Sequence, residues 1–313
     1  MARKIALVGI GKIARDQHVP ALAAAPEWDL AATVSREGTV EGVEHFGDID
    51  SLLRARPDIG VVSLCLPPVP RFAYAAAALR AGKHVMLEKP PGATLAECTA
   101  LEAMARAAGV TLFATWHSRE AAQVASARAW LAGKTLRRLA VTWKEDVRRW
   151  HPGQEWVWQA GGLGVFDPGI NALSIVTAIL PDPIHLTAAT LLFPENRDTP
   201  IAADLAFFHP QGADVSAVFD WRQQGDQTWT IEVETDAGTL VLADGGARML
   251  LNGAEQPVGA AAGGALRGEY PRLYDRMAAL VDSGAVDMDL APMVHVSDAF
   301  LLGKRRFTEA FHF

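Results

Sequence analysis

The residues best placed to do chemistry are a lysine and an aspartate in two separate, conformationally marked segments. Lys89 ends the stretch Lys83-His84-Val85-Met86-Leu87-Glu88-Lys89-Pro90-Pro91, an apolar strand stopped on a Glu-Lys pair by two prolines. Proline lacks an amide hydrogen and cannot continue a central strand or a helix interior, so Lys89 is held at a strand end. Ligands of an open parallel sheet collect at its carboxyl strand ends, where an ammonium can point at a bound molecule. A strand-ending turn with a solvated lysine fits the same residues. The aspartate lies in Gly161-Gly162-Leu163-Gly164-Val165-Phe166-Asp167-Pro168-Gly169-Ile170-Asn171, which opens an apolar helix reaching Leu180. Asp167 and Asn171 are four apart and share one helix face. Asp167 either does chemistry there or caps the helix start with Asn171 packed behind it.

A third segment speaks for a nucleotide. Ile5-Ala6-Leu7-Val8 reads as a strand buried on both faces, and Gly9-Ile10-Gly11-Lys12-Ile13-Ala14 carries it into a helical segment. In Gly-x-Gly-x-x-Ala the first glycine makes a tight turn and the second admits a pyrophosphate against the backbone. The alanine lets helix and strand pack closely, and the phosphates sit at the helix amino end. The next predicted strand, Asp29 to Val34, ends on Ser35-Arg36, a hydroxyl and a guanidinium suited to a 2′-phosphate. Glu37 follows and can reach a ribose instead, so both NADP, preferred, and NAD are expected cofactors.

The elements that must hold these residues fall into two kinds. Up to His117, strands and helices alternate: a strand within Asp58 to Leu66 ended by Pro67-Pro68, a helix from Phe72 to Arg80, and the strand before Glu88. A helix follows from Thr94 to Ala108 with Gly109 as its stop, then a strand from Val110 to Thr115. That pattern predicts a Rossmann-type parallel sheet over residues 1–117. After Ser118, a helix from about Glu120 to Leu131 precedes alternating runs at 139–144, 186–193, 202–208, 215–221, 229–235 and 239–242. These predict an α+β domain on a mostly antiparallel open sheet over 118–313, giving an α/β protein overall.

Composition sets outer bounds. The 313 residues exceed what one core usually serves, and half are hydrophobic with 21% charged, as in a folded soluble protein. A net charge of −7 argues against a nucleic-acid surface, and Lys304-Arg305-Arg306 reads as the solvated last turn of a helix. Cys65 and Cys98 form neither a disulfide framework nor a metal motif, which fits a reducing cytoplasm. Gly11-Lys12 interrupts the apolar start too early for a signal peptide, and no run reaches the ~18 apolar residues of a membrane span. No metal is implied.

Taken together, Gly9-x-Gly11-x-x-Ala14, Glu88-Lys89-Pro90 and the glycine-aspartate helix at 161–169 resemble the glucose-fructose oxidoreductase and inositol dehydrogenase (Gfo/Idh/MocA) family over the whole chain. Within it, Lys144-Glu145-Asp146-Val147-Arg148-Arg149-Trp150-His151-Pro152-Gly153-Gln154 is similar to the bacterial dehydrogenases that oxidise L-arabinose and D-galactose at the anomeric carbon. The resemblance implies Lys89 and Asp167 as the catalytic pair beside the nicotinamide. It implies cofactor contacts from Gly9, Gly11, Lys12 and Ile13, from Ser35 and Arg36, from Leu66, Pro67, Glu88 and Lys89, and from Trp116 and Trp158. Asn171, Glu145, Trp150, His151 and His117 are the implied sugar-binding residues.

One departure bears on mechanism. Many family members have histidine four residues after the helix aspartate, whereas Asn171 cannot exchange a proton near neutral pH. The proton must therefore pass to Asp167 or Lys89, and Asn171 is expected to read sugar hydroxyls. Trp143, Trp150, Trp156 and Trp158 crowd this region; such rings suit a pyranose face, and they equally suit a core. The expected function is oxidation of an aldose to its lactone by a cytoplasmic homodimer without nucleic-acid or membrane partners. Another sugar-derivative or inositol dehydrogenase, and a non-catalytic NADPH sensor, are the alternatives.

Overall fold

In the computed structural model, which describes residues 2–258 and 268–313, the opening apolar run is strand β1 (Arg3–Val8). Ile5 and Leu7 enter one core while Ala6 and Val8 enter another, which is why the run carries no polar alternation. Five more strands align with it: β2 (Trp28–Val34), β3 (Glu44–Phe46), β4 (Val61–Leu64), β5 (His84–Leu87) and β6 (Leu112–Ala114). All pair in parallel, in the order β3-β2-β1-β4-β5-β6. The order reverses between β1 and β4, the position where such sheets open a ligand crevice. Helix α1 (Val19–Ala24), led by a π-helical turn at Ala14–His18, covers one face. The helices α2 (Ile49–Ala55), α3 (Pro68–Arg80) and α4 (Leu95–Ala108) cover the other with Leu52, Ala75, Leu79, Leu101 and Ala105.

The second unit begins at Ser118. Helices α5 (Val124–Leu131), α6 (Val147–Trp150) and α7 (Phe166–Ile179) are interspersed with β7 (Leu136–Lys144), and then come seven strands. These are β8 (His185–Pro194), β9 (Ala202–Phe208), β10 (Asp214–Asp220), β11 (Thr228–Thr235), β12 (Gly238–Ala243), β13 (Arg248–Leu251) and β14 (Ala254–Glu255). The sheet order is β14-β13-β12-β11-β7-β10-β9-β8. Among these eight strands the pairs are antiparallel apart from β7 with β10, so the sheet is mixed but mostly antiparallel, as the alternating runs predicted. In β9 the residues Ala203, Leu205 and Phe207 are buried while Asp204, Ala206 and Phe208 are exposed, leaving one sheet face open.

Two expectations for the last part of the chain are corrected. Helix α8 (Glu269–Ser283), placed by the sequence reading in the domain 118–313, belongs with the chain up to His117, as does the segment to Leu290. The face of the parallel sheet carrying Ile5, Leu7, Val61, Met86 and Phe113 is too wide for the short α1, and Tyr270, Leu273, Tyr274, Met277 and Leu280 of α8 complete its cover. Asp287 then bridges Phe113 at the sheet edge. The chain re-enters the second unit as α9 (Ala291–Leu302) and β15 (Lys304–Thr308), which pairs in parallel with β8. The basic triplet expected in a helical last turn is thus on an edge strand. Gly303 ends the helix, and exposed cations on an edge strand discourage further strand addition. Among the described residues no helix is long and apolar enough to cross a membrane.

Helix α7 lies close on β10. A Cβ built at Gly169 falls 2.7 Å from the Phe219 ring, a distance real packing does not tolerate. Gly169→Ala is expected to force this helix off the sheet and cost ~1–3 kcal/mol, more than the ~1 kcal/mol gained in helix propensity. A lower denaturant midpoint at unchanged slope is the expected result; an unchanged midpoint would mean the helix is free to shift.

Candidate active site

The glycine turn is built as the spacing requires. Gly9 has φ +88, and an added Cβ would meet Leu66 Cδ2 at 2.9 Å, so glycine is needed for both conformation and close approach to the end of β4. At Gly11 an added Cβ meets no described atom within 4 Å, which leaves backbone open for a pyrophosphate. Lys12 folds back onto Asp16 one turn along, and Ile13 precedes the π-helical turn. At the end of β2 the Ser35 hydroxyl accepts the Glu37 N–H at 3.3 Å. Arg36 is exposed and makes no hydrogen bond or ion pair among the described residues, so its guanidinium is available to a phosphate. These features fit a nicotinamide dinucleotide.

The Lys89 segment is anchored by two side chains. Arg71, only 2% exposed, donates from Nε to the Leu66 carbonyl at 3.1 Å and from Nη1 to the carbonyls of Glu88 and Pro90. One guanidinium thus joins the Leu66-Pro67 turn to the Lys89 turn, whose Lys89–Pro90 peptide is cis. The Glu88 carboxylate faces inward: Oε2 accepts the Lys89 N–H at 2.9 Å, and Oε1 accepts from His18 Nε2 at 3.0 Å and Tyr270 OH at 2.8 Å. His18 Nδ1 lies 2.7 Å from Tyr274 OH. Burial favours neutral Glu88, but bonds from His18 and Tyr270 and the charges of His18 and His117 outweigh it and hold the carboxyl at about 2. Burial likewise opposes charge on His18, yet Cys65, Tyr274 and Glu88 beside it raise its pKa well above the ordinary value. His117 Nδ1 pairs with Glu269 Oε2 at 2.7 Å and its ring stacks on Tyr270. Trp116 is buried and donates its indole N–H to the Asp289 carbonyl at 2.9 Å.

In the second unit Asp167 does not cap α7. The helix begins after Val165, no side chain caps it, and buried Asp167 sits in the first turn, where helix dipoles favour a carboxylate. Its Oδ2 lies 3.5 Å from His151 Nε2, while His151 Nδ1 is 3.3 Å from Gln154 Oε1. The Asn171 side-chain amide, partly exposed, makes no hydrogen bond among the described residues. Buried Glu145 accepts the indole N–H of Trp221 at 3.2 Å and of Trp229 at 2.9 Å. Trp229 also stacks on Trp143 and meets half-buried Trp150 at 5.3 Å. Trp158, expected at the cofactor, is instead 1% exposed and packed between Trp221 and Phe311. It fills a core that the C-terminal Phe311 closes.

Sequence reading missed His18, Arg71, Glu269, Tyr270, Tyr274, Trp221 and Trp229. Arg71 had a signal, an arginine in the first turn of a helix after a strand-ending Pro-Pro, but no spacing reveals which carbonyls it meets. The others join residues far apart in the chain. Among the described residues no cluster of three His, Cys, Asp or Glu side chains is arranged to hold a metal ion.

Comparison with known proteins places this geometry in context. Residues 3–115 match the family model for oxidoreductases with an NAD-binding Rossmann fold. A galactose 1-dehydrogenase of Pseudomonas fluorescens is 41% identical, over 99% of this chain and 98% of that protein. The crystal structure of D-galactose-1-dehydrogenase from Rhizobium etli superposes with a TM-score of 0.93 at 55% identity, covering 100% of this chain and 99% of that one. KijD10, a 3-ketoreductase from Actinomadura kijaniata solved with NADP and TDP-benzene, shares the fold at 20% identity and a TM-score of 0.83, over 98% and 100% of the two chains.

The Glu88 network gives stability a defined pH dependence. Glu88 is held below its ordinary 4.5, so its contribution is present above about pH 4.5 and is lost as pH falls toward about 2. His18 is held above 6.5, so its contribution is complete below that pH and fades as pH rises through the higher folded value. Glu88→Gln should flatten the acid limb, removing on the order of 3 kcal/mol of pH-dependent stability between pH 4.5 and 2. Chemical denaturation across that range reads it; equal slopes in both proteins would place the acid sensitivity elsewhere.

Proposed function

This chain belongs to the Gfo/Idh/MocA family of oxidoreductases, and on that footing we propose that it oxidises an aldose at the anomeric carbon to the aldonolactone. D-Galactose, L-arabinose or a close relative is the substrate, NADP is preferred over NAD, and the enzyme acts as a cytoplasmic homodimer at the start of oxidative sugar breakdown. The full-length likeness to two galactose 1-dehydrogenases carries this reading. The open face of the second sheet supports a homodimer.

A bound nicotinamide supplies the hydride acceptor. The chain's own work is to hold the sugar and move a proton. Asp167 accepts the proton of the C1 hydroxyl, and Lys89 orients and polarises that hydroxyl. Positive charge on His151, whose Nε2 lies 3.5 Å from Asp167 Oδ2, favours the ionised carboxylate that a base requires. The unengaged amide of Asn171 reads ring hydroxyls, with Glu145, Trp150, His151 and His117 as further sugar contacts. D-Galactose and L-arabinose differ by one hydroxymethyl group, so a site open there accepts both, with discrimination of about 1–3 kcal/mol.

Cofactor reduction with a panel of aldoses, inositol and glucosides, run with NAD and NADP in parallel, tests the assignment. Turnover with galactose or arabinose is expected; inertness toward every sugar while NADPH still binds would favour a sensor. Arg36→Ala should raise the NADP Michaelis constant roughly ten- to a hundredfold, the loss of a bond worth about 1.5–3 kcal/mol, and leave NAD nearly untouched. An equal rise for both cofactors would remove Arg36 from the 2′-phosphate.

Lys89→Ala and Asp167→Ala should each lower turnover by at least ~10²-fold with cofactor affinity kept. Asn171→Ala should raise the sugar Michaelis constant and shift the galactose-to-arabinose preference without altering the pH profile. Asn171→His should add an ionisation between roughly pH 5 and 8. Unchanged preference and profile in both Asn171 variants would put that residue, and the alignment that singles out Asp167, outside the site.

A further inference from the structure

We propose that His18, Tyr270 and Tyr274 are positioning residues for Lys89, acting through the carboxylate of Glu88. The inference rests on the reading above that Lys89 works on the sugar hydroxyl, and adds what holds it there. Strand β5 stops at Leu87, and the Lys89 N–H is met by Glu88 Oε2 at 2.9 Å instead of by a neighbouring strand. The other carboxylate oxygen is pinned by His18 and Tyr270, at 3.0 and 2.8 Å. The lysine's backbone therefore inherits its place from a carboxylate whose own place is set by donors 70 and 182 residues away.

Those donors have little freedom. His18 and Tyr274 are 0% exposed, Tyr270 is 1% and Glu88 4%. The His18 ring meets Tyr270 and Tyr274 edge-on at 4.9 and 5.8 Å, and its second nitrogen is 2.7 Å from Tyr274 OH. His117, stacked on Tyr270 and paired with Glu269, backs the assembly from the far side. Cys65 is a further titratable neighbour of the His18 ring. A buried ion pair is seldom worth more to stability than apolar residues of the same volume, whereas a directional bond fixes register. Fixed register matters at a proton-transfer group, because a misplacement of about 1 Å can cost ~10²-fold in rate.

A double-mutant cycle tests this in the full-length enzyme. Tyr270→Phe keeps the ring and removes one donor, so the test stands even if His18→Gln, its companion, does not fold. Each is expected to lower kcat by ~10-fold or more while cofactor Kd and sugar KM stay within about threefold. In a Lys89→Ala background the same substitution should change residual turnover by less than about twofold, because the group it positions is gone. Tyr274→Phe, one bond further out, should show the same pattern at smaller amplitude. An equal fold-loss with and without Lys89, or a loss of cofactor affinity in place of turnover, overturns the proposal. Wild-type turnover in Lys89→Ala itself would instead sink the assignment of Lys89, and this proposal with it.

Discussion

Where parallel strands end, their last backbone groups have no ladder to continue, and in a buried setting each must find a partner or cost 1–3 kcal/mol. In the first unit the ends of β4 and β5 are met by two charged side chains. Arg71 gathers the carbonyls of Leu66, Glu88 and Pro90, and Glu88 takes the N–H of Lys89. Both charges are shielded from water, so both need full sets of partners, and these tie the Leu66-Pro67 turn, the lysine turn and helix α8 into one arrangement. That chain of necessity begins with the two prolines that stop β5.

The second unit solves a related problem differently. There the buried carboxylate of Glu145 accepts two indole N–H groups, and the same indoles pack against further rings. Tryptophan supplies large apolar area together with one donor, which suits a buried wall that holds a carboxylate. Asp167 lies in the first turn of α7 with His151 Nε2 at 3.5 Å, and Gly169 of the same helix packs closely on Phe219.

Much of this was legible in the order of residues. The Gly9-to-Ala14 turn, the proline-stopped Lys89 and the Asp167–Asn171 helix face depend on neighbours within a turn or a strand, and periodicity told the parallel sheet from the antiparallel one. Even the α4 ends were readable, with Thr94 capping and Gly109 left-handed at φ 66. Errors arose where a local pattern had a distant purpose. Trp158 looks like its neighbours until Phe311 covers it, and a basic triplet after a helix looks like its last turn until β8 offers a strand to pair with.

What the sequence by itself determined is therefore the short-range grammar: the strands and helices with a clear period, where glycine and proline punctuate them, and which side chains share a face. Only the tertiary structure decided that α8 returns to close the first sheet, that His18 and two tyrosines hold Glu88, and that His151 stands beside Asp167. The physical reason is separation along the chain. A backbone preference is a property of a few adjacent residues, but a buried hydrogen bond across 182 residues exists only once two cores have packed and left a single place for each polar atom.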